Sequence, residues 1–215
     1  MKRIIIICEG QTEQEFCNTI LYSKFQENNI YLQATLPKKS GGGIVKWEHL
    51  EKDINNYLKS DKNVFITTFI DYYKLPDSYP NYRKAHANTD KNKIIDEIEH
   101  GIAFKIDSPR FIPYIQLHEF ESLLFNNLGA FDSVQGMIND MGLLKKTLAD
   151  YPDNSELINH DKSTAPSKRL DKIIKGYNKV KHGNLIAQHI GLANMFEKNL
   201  RFKKWIENLL NKNWD

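Results

Sequence analysis

Cysteine is scarce: the chain has two in 215 residues, Cys8 and Cys17. That is too few for a disulfide framework, and the pair is not spaced as CxxC, so both read as buried thiols and a structural zinc site is not expected. Long apolar runs are missing as well. None approaches the roughly 18 to 20 residues that a membrane span requires, and Lys2-Arg3 precede only a handful of apolar residues with no small-residue cleavage site behind them. No signal peptide is therefore expected, and the chain reads as cytoplasmic. There is no internal repeat and no low-complexity tract. The glycine triplet Gly41-Gly42-Gly43 lacks the Gly-Lys-Ser/Thr that a Walker loop needs. What remains is 40% hydrophobic and 27% charged, the composition of a folded chain long enough for one domain or a domain with a large appendage.

Net charge is only +3, yet it is unevenly placed. From Lys162 onward twelve Lys/Arg stand against four Asp/Glu, a balance of +8 that leaves −5 for the rest. An acidic front and a basic tail suit a metal site beside a polyanion-binding surface; lysine-rich solvated helix faces are the plainer alternative.

The first thirteen residues organise the rest. Four β-branched residues, Ile4 to Ile7, predict a central parallel strand buried on both faces. Glu9 then lies at the strand's carboxyl end, the edge where open α/β sheets bind ligands, although a solvated strand-end acid would look the same. Gly10 permits a sharp turn, and Thr12 is expected to cap a helix over Glu13 to Gln26. Ile30 to Leu36 predicts a second, short strand, followed by a flexible loop in which Lys38-Lys39 can contact phosphate, and Ile44 to Lys59 a helix. Val64 to Ile70 is the second strong strand, and it ends in Asp71. A right-handed βαβ crossover puts Glu9 and Asp71 at one sheet edge, and one or two carboxylates with water and substrate oxygens are what magnesium takes.

Past a polar loop reaching Lys91, a short helix is expected over Ile94 to Ile102. A third strand over Arg110 to Leu117 follows, with Pro113 demanding an edge or a bulge. It opens into His118-Glu119-Phe120-Glu121, where a helix beginning at once would put His118 and Glu121 on one face. The polar segment from Asn126 to Lys162 predicts an inserted helix or lid. Ser163-Thr164-Ala165-Pro166 then starts an amphipathic helix expected to run through Ile173, Ile174 and Tyr177, with Lys168-Arg169 near its start placed to meet an anion. Aromatics of the final helices, Phe202 and Trp205 among them, fall at helical spacing and read as core.

Four segments carry a family resemblance: Glu9-Gly10 with Thr12-Glu13, Ile70-Asp71-Tyr72-Tyr73-Lys74-Leu75-Pro76, Ile112 to Glu121, and Ala165-Pro166-Ser167-Lys168-Arg169. Together they resemble the DUF4276 family over nearly the whole chain. That family looks like a divergent branch of the Toprim superfamily, the metal-binding α/β fold of topoisomerases, primases and OLD-type nucleases, and its members are often encoded beside ATPases in bacterial defence loci. The resemblance implies an α/β fold with a Toprim-like, mostly parallel sheet flanked by helices over residues 1–125, and a mostly helical, basic region, 126–215, packed on it. Toprim proteins pair a strand-end Glu with a later Asp-x-Asp. Glu9 and Asp71 match, but Tyr73 stands where the second Asp belongs.

The function this implies is a metal-dependent nuclease or phosphoryl-transfer protein acting on nucleic acid in an anti-phage defence system. Glu9, Asp71 and Glu121 would be catalytic. Glu9, Asp71, Glu119, Glu121 and His118 are the candidate ligands for Mg2+ or Mn2+, and Lys168, Arg169, Lys179 and His182 the candidate phosphate contacts. Expected partners are DNA or RNA and an ATPase encoded alongside; a homo-oligomer is allowed and a membrane is not expected. Because Tyr73 breaks the pattern, a catalytically silent Toprim-like partner subunit of an ATPase, or a nucleic-acid-binding module, is the alternative. A small-molecule phosphatase, the third reading, would need a closed pocket.

Overall fold

The structure, a computed structural model, describes residues 2–39, 43, 45–158, 161 and 163–212. The glycine loop expected around Ser40-Gly41-Gly42 lies outside them, as do Ile44 and Lys162. Two compact units divide the chain, one running to Leu117 and one of His118–Asn211.

The first unit is built round β1 (Lys2–Cys8), which pairs in parallel with β2 (Ile30–Thr35) on one side and β3 (Val64–Asp71) on the other. The sheet order is β2-β1-β3-β4, and the short β4 (Phe111–Ile112) and β5 (Ile115–Gln116) share the far edge of β3, again in parallel. Helices cover both faces, which is why β1 is apolar without alternation from Ile4 to Cys8. Ile5 and Ile7 join a core with Leu50 and Ile54 of α3 (Trp47–Ser60) and Ile98 of α5 (Lys91–Ile106). Cys8 turns to the opposite layer, where α1 (Gln11–Phe16) runs through a π-helical turn, Cys17–Leu21, into α2 (Tyr22–Glu27). There Phe16 meets Phe69 edge-on at 6.2 Å, and the sulfurs of the two buried cysteines lie 3.9 Å apart. Each fully buried isoleucine contributes about 1.5–3 kcal/mol.

Three local expectations are corrected. Gly10, not Thr12, is the N-cap of α1, and its N–H donates to the Glu13 carboxylate at 2.9 Å. A Cβ at Gly10 would stand 3.1 Å from that oxygen, so a side chain there would push the Glu13 carboxylate back by a few tenths of an ångström. The continuous third strand breaks at Pro113, which has no N–H to give the ladder. Thr68 bridges the gap: its hydroxyl accepts from the Tyr114 N–H and donates to the Tyr114 carbonyl, both at 2.9 Å. Helix α5 is longer than its apolar pattern, because Asp90 caps it by accepting from the N–H groups of Asn92 and Lys93.

Gly101 of α5 packs against the turn preceding α4 (Tyr82–Ala85). A Cβ there would fall 2.7 Å from Asn81 Cγ and 2.9 Å from the backbone carbon of Pro80. Asn81 cannot yield, since its left-handed backbone (φ 59°) is held by its amide donating to Glu97 Oε1 at 2.7 Å. In an open helix Gly→Ala gains about 1 kcal/mol. At Gly101 the sign is expected to reverse, with Gly101→Ala losing about 1–3 kcal/mol by overpacking; a urea midpoint at or above the wild-type value would refute this.

The second unit is helical almost throughout. It holds 3-10 turns at Phe120–Leu124, Leu128–Met137 and Ser155–Leu157, then α6 (Met141–Asp150), α7 (Pro166–Ile173), a π-helical turn at Lys179–Gly183, α8 (Asn184–Lys198) and α9 (Leu200–Leu210). The expected insertion after Asn126 is α6. Helix α7 stops short of Tyr177, because Ile174 leaves it for a bridge to Ile138 and Gly176 takes a left-handed φ of 67°. Phe202, Trp205 and Leu209 are buried, as core residues should be. Among the described residues no helix is long and apolar enough to cross a membrane.

Candidate functional site

In the first unit the parallel ladder carries Glu9 and Asp71 to one sheet edge. Cys8 pairs with Phe69 in register, and the Glu9 N–H extends the ladder by donating to the Phe69 carbonyl at 2.9 Å. The Glu9 side chain then reaches across the end of β3, where Oε2 accepts the Asp71 backbone N–H at 2.9 Å. The Glu9 carbonyl accepts from the N–H of Gly43, also at 2.9 Å, so the β2–α3 connection returns to the same point.

A small recess opens over this pair, lined by Glu9, Asp71, Tyr73, Lys74 and Tyr79 among others. Lys74 has a left-handed backbone, φ 62°, a conformation non-glycine residues adopt at a cost and which gathers at functional sites. It closes the turn after β3, in which the Leu75 N–H donates to the Tyr72 carbonyl at 3.1 Å. Its ammonium lies 4.9 Å from the Tyr73 ring centroid, a cation–π contact. Burial, with the Glu9 charge second, pushes the Tyr79 hydroxyl far above its ordinary value. It stays a neutral donor to the Val45 carbonyl at 3.0 Å. Burial likewise pushes Tyr72 up to about 12. Its hydroxyl lies 2.9 Å from His86 Nε2, whose Nδ1 is 2.7 Å from the Tyr82 carbonyl. A carbonyl only accepts, which assigns a proton to Nδ1.

Two carboxylates of hard oxygen donors at an open edge fit a divalent cation that keeps water and substrate oxygens in its shell. Among the described residues no three His, Cys, Asp or Glu side chains are grouped to hold a metal by themselves. Lys74, Tyr73 and Tyr79 were not among the sequence's site candidates; the one local signal was a lysine three residues beyond a strand-end acid.

His118, Glu119 and Glu121 belong to the second unit. His118 takes a left-handed φ of 67° and Glu119 is extended, so the 3-10 turn begins only at Phe120 and the expected face shared by His118 and Glu121 does not form. Glu119 instead caps α7: its carboxylate accepts from the Ser167 N–H at 2.9 Å and the Ser167 hydroxyl at 3.1 Å. Glu121 is 2% exposed, with Lys179 Nζ 2.8 Å from Oε1 as an ion pair rather than an aligned hydrogen bond. Of the candidate phosphate contacts, Lys168 pairs with Asp171 at 3.1 Å on the surface. Arg169 donates to the Thr164 carbonyl at 2.8 Å and to the Thr147 hydroxyl at 3.3 Å. His182 is buried, its Nδ1 accepting from the Asn178 N–H at 2.9 Å. Burial, then the Lys181 charge, holds its imidazole below the ordinary value and therefore neutral.

Burial raises the Glu121 carboxyl above its ordinary 4.5, the Glu119 charge adding to the rise and Lys179 opposing it. Between 4.5 and the raised value the folded state holds more protons than the unfolded, so stability falls as pH rises through that window. Glu121→Gln is expected to flatten this slope and to leave the variant no less stable than wild type at pH 8, since it removes the desolvated charge and leaves behind only Lys179, whose side chain is half exposed. Thermal unfolding from pH 4 to 8 checks it, and an unchanged slope would refute it.

The model of a family described as "Domain of unknown function (DUF4276)" matches residues 8–210. Among solved structures, the C-terminal region of the OLD protein of Xanthomonas campestris pv. campestris is similar, at 13% identity and a TM-score of 0.46, over 98% of this chain and 95% of that one. No curated protein matches the chain.

Proposed function

The chain belongs to the DUF4276 family, and from the Glu9–Asp71 pair at its sheet edge we propose a metal-dependent nuclease or phosphoryl-transfer protein acting on nucleic acid. One observation carries the reading: a strand-end carboxylate, Glu9, is fixed by the backbone N–H of the next strand's terminal acid, Asp71. Pinning one oxygen orients the carboxylate before any ligand arrives. A carboxylate preset in this way at the end of a central strand holds geometry more closely than a loop residue does.

Glu9 and Asp71 would hold Mg2+ or Mn2+, which would supply polarisation of the scissile phosphate and a more acidic water. Glu9 also manages a proton on the attacking or leaving oxygen. Lys74, beside the pair in the same recess, offsets negative charge developing on the phosphoryl oxygens. We assign Glu119 and Glu121, with His118 preceding them, to ordering the segments that bear Lys168, Arg169, Lys179 and His182; of these, Lys168 and Lys179 present charge to a polyanion. The ATPase partner and the defence setting are carried forward from the sequence resemblance.

Tyr73 favours the second reading, a silent partner subunit: the position of a second acid holds an aromatic ring with a lysine cation against it. Calorimetric titration with Mn2+ separates the two. The nuclease reading expects wild type to bind about one equivalent and Glu9→Gln and Asp71→Asn to lose it. A wild-type protein that takes up no Mn2+, with or without an oligonucleotide, overturns it.

A further inference from the structure

Beyond the carboxylate pair, the first unit holds a basic recess of about 230 Å³, lined by Lys38, Lys39, His49, Lys52, Asp53 and Asn56. We infer that it is a seat for the phosphodiester backbone of a nucleic-acid strand, adjoining the Glu9–Asp71 edge. This rests on the nucleic-acid reading above and names where the strand would lie.

The recess is built, not a chance meeting of surface chains. His49, Lys52, Asp53 and Asn56 recur at i, i+3, i+4 and i+7 of α3, which sets them on one helical face. Asp53, nearly buried, accepts the Lys38 backbone N–H at 2.9 Å and so ties the turn after β2 to that face. Three lysines against Asp53 leave +2, within a portion of the chain whose overall balance of Lys/Arg against Asp/Glu is −5. Lys38, Lys39, Lys52 and Asn56 are exposed. An open recess lined by lysines and other polar residues suits phosphates strung on a polymer better than an enclosed small molecule.

Its position follows from the ladder. Ile7 pairs with Thr35, so Glu9 and Lys38 leave the same end of neighbouring strands. Gly43, four residues after Lys39, donates its N–H to the Glu9 carbonyl. Four residues cannot span more than about 14 Å, which keeps the recess within a few nucleotides of the carboxylates.

The test is fluorescence anisotropy of fluorescein-labelled single-stranded DNA and RNA, in EDTA so that the metal chemistry plays no part, for wild type and the triple variant Lys38→Gln, Lys39→Gln, Lys52→Gln. Each lost single-strand phosphate contact removes about 0.7 from the slope of log K against log salt. The variant is expected to show a slope about 2 smaller and, at 0.1 M salt, binding on the order of 100-fold weaker. An unchanged slope overturns the inference. So does a wild-type protein that binds inorganic phosphate but neither oligonucleotide, which would make the recess a free-anion site. A protein that holds the strand through the lysines yet takes up no Mn2+ keeps this inference and loses the nuclease reading.

Discussion

Exchanging Glu9 for glutamine is expected to cut Mn2+-supported phosphodiester cleavage by about 10³-fold or more while leaving the fold almost untouched. The two halves have separate causes. Charge stabilisation by a metal ion at a reacting phosphate is worth several kcal/mol, and about 4 kcal/mol is a factor of 10³ at 1.36 kcal/mol per decade. The amide keeps an oxygen where Oε2 accepts the Asp71 N–H, so the strand ends stay joined and the unfolding midpoint should move by less than about 0.5 kcal/mol. Glu9→Ala lacks that oxygen and adds about 1–3 kcal/mol of destabilisation by orphaning the Asp71 N–H. Rates at saturating Mn2+ beside urea unfolding of both variants decide the matter. Wild-type cleavage by Glu9→Gln would remove Glu9 from the chemistry.

That both acids were legible in the sequence follows from where they sit. Ile4 to Ile7 are apolar without interruption, and Val64 to Ile70 are broken only by the buried pair Thr67-Thr68; both stretches announce central parallel strands, and an acid directly after such a strand can only emerge at its carboxyl edge. Other features were hidden because their causes are remote. The break at Pro113 was foreseeable from the ring's missing N–H, but not that the hydroxyl of Thr68, 46 residues before Tyr114, would bridge it. The π-helical turn at Cys17–Leu21 leaves the 3.6-residue apolar pattern nearly intact and gives no local sign. At His118 the sequence suggested a helix start, since acids favour a first turn; the left-handed residue there delays it, and Glu119 serves a different helix, its partner Ser167 being 48 positions away. The basic recess showed only as Lys38-Lys39 beside glycines, because its other wall is the polar stripe of α3, brought beside them only by the fold.

Removing the Glu156 carboxylate should unravel the C-terminal helix first. Helix α9 begins at Leu200 after Asn199, a residue type that ordinarily caps with its own side chain. Here Asn199 is turned away: its Oδ1 accepts from the Ser155 hydroxyl at 2.7 Å and its amide donates to the Met195 carbonyl at 2.9 Å. Glu156 takes over, its two oxygens accepting the N–H groups of Arg201 at 3.0 Å and Phe202 at 3.3 Å from a side chain only 1% exposed. The negative charge also sits at the positive end of the helix dipole. Glu156→Ala loses two charge-assisted bonds and strands two donors, so a cost of about 2–4 kcal/mol is expected. For a chain of this length that lowers Tm by roughly 10 °C. Glu156→Gln should lie between, since its amide turns an N–H₂ toward one of the two donors. Amide exchange separates this from a general loss of stability: Arg201 and Phe202 should lose protection before Ile186 and Ile190 of α8 do. A Glu156→Ala protein within about 0.5 kcal/mol of wild type, with those two amides still protected, would mean that α9 is held by its buried Phe202, Trp205 and Leu209 alone.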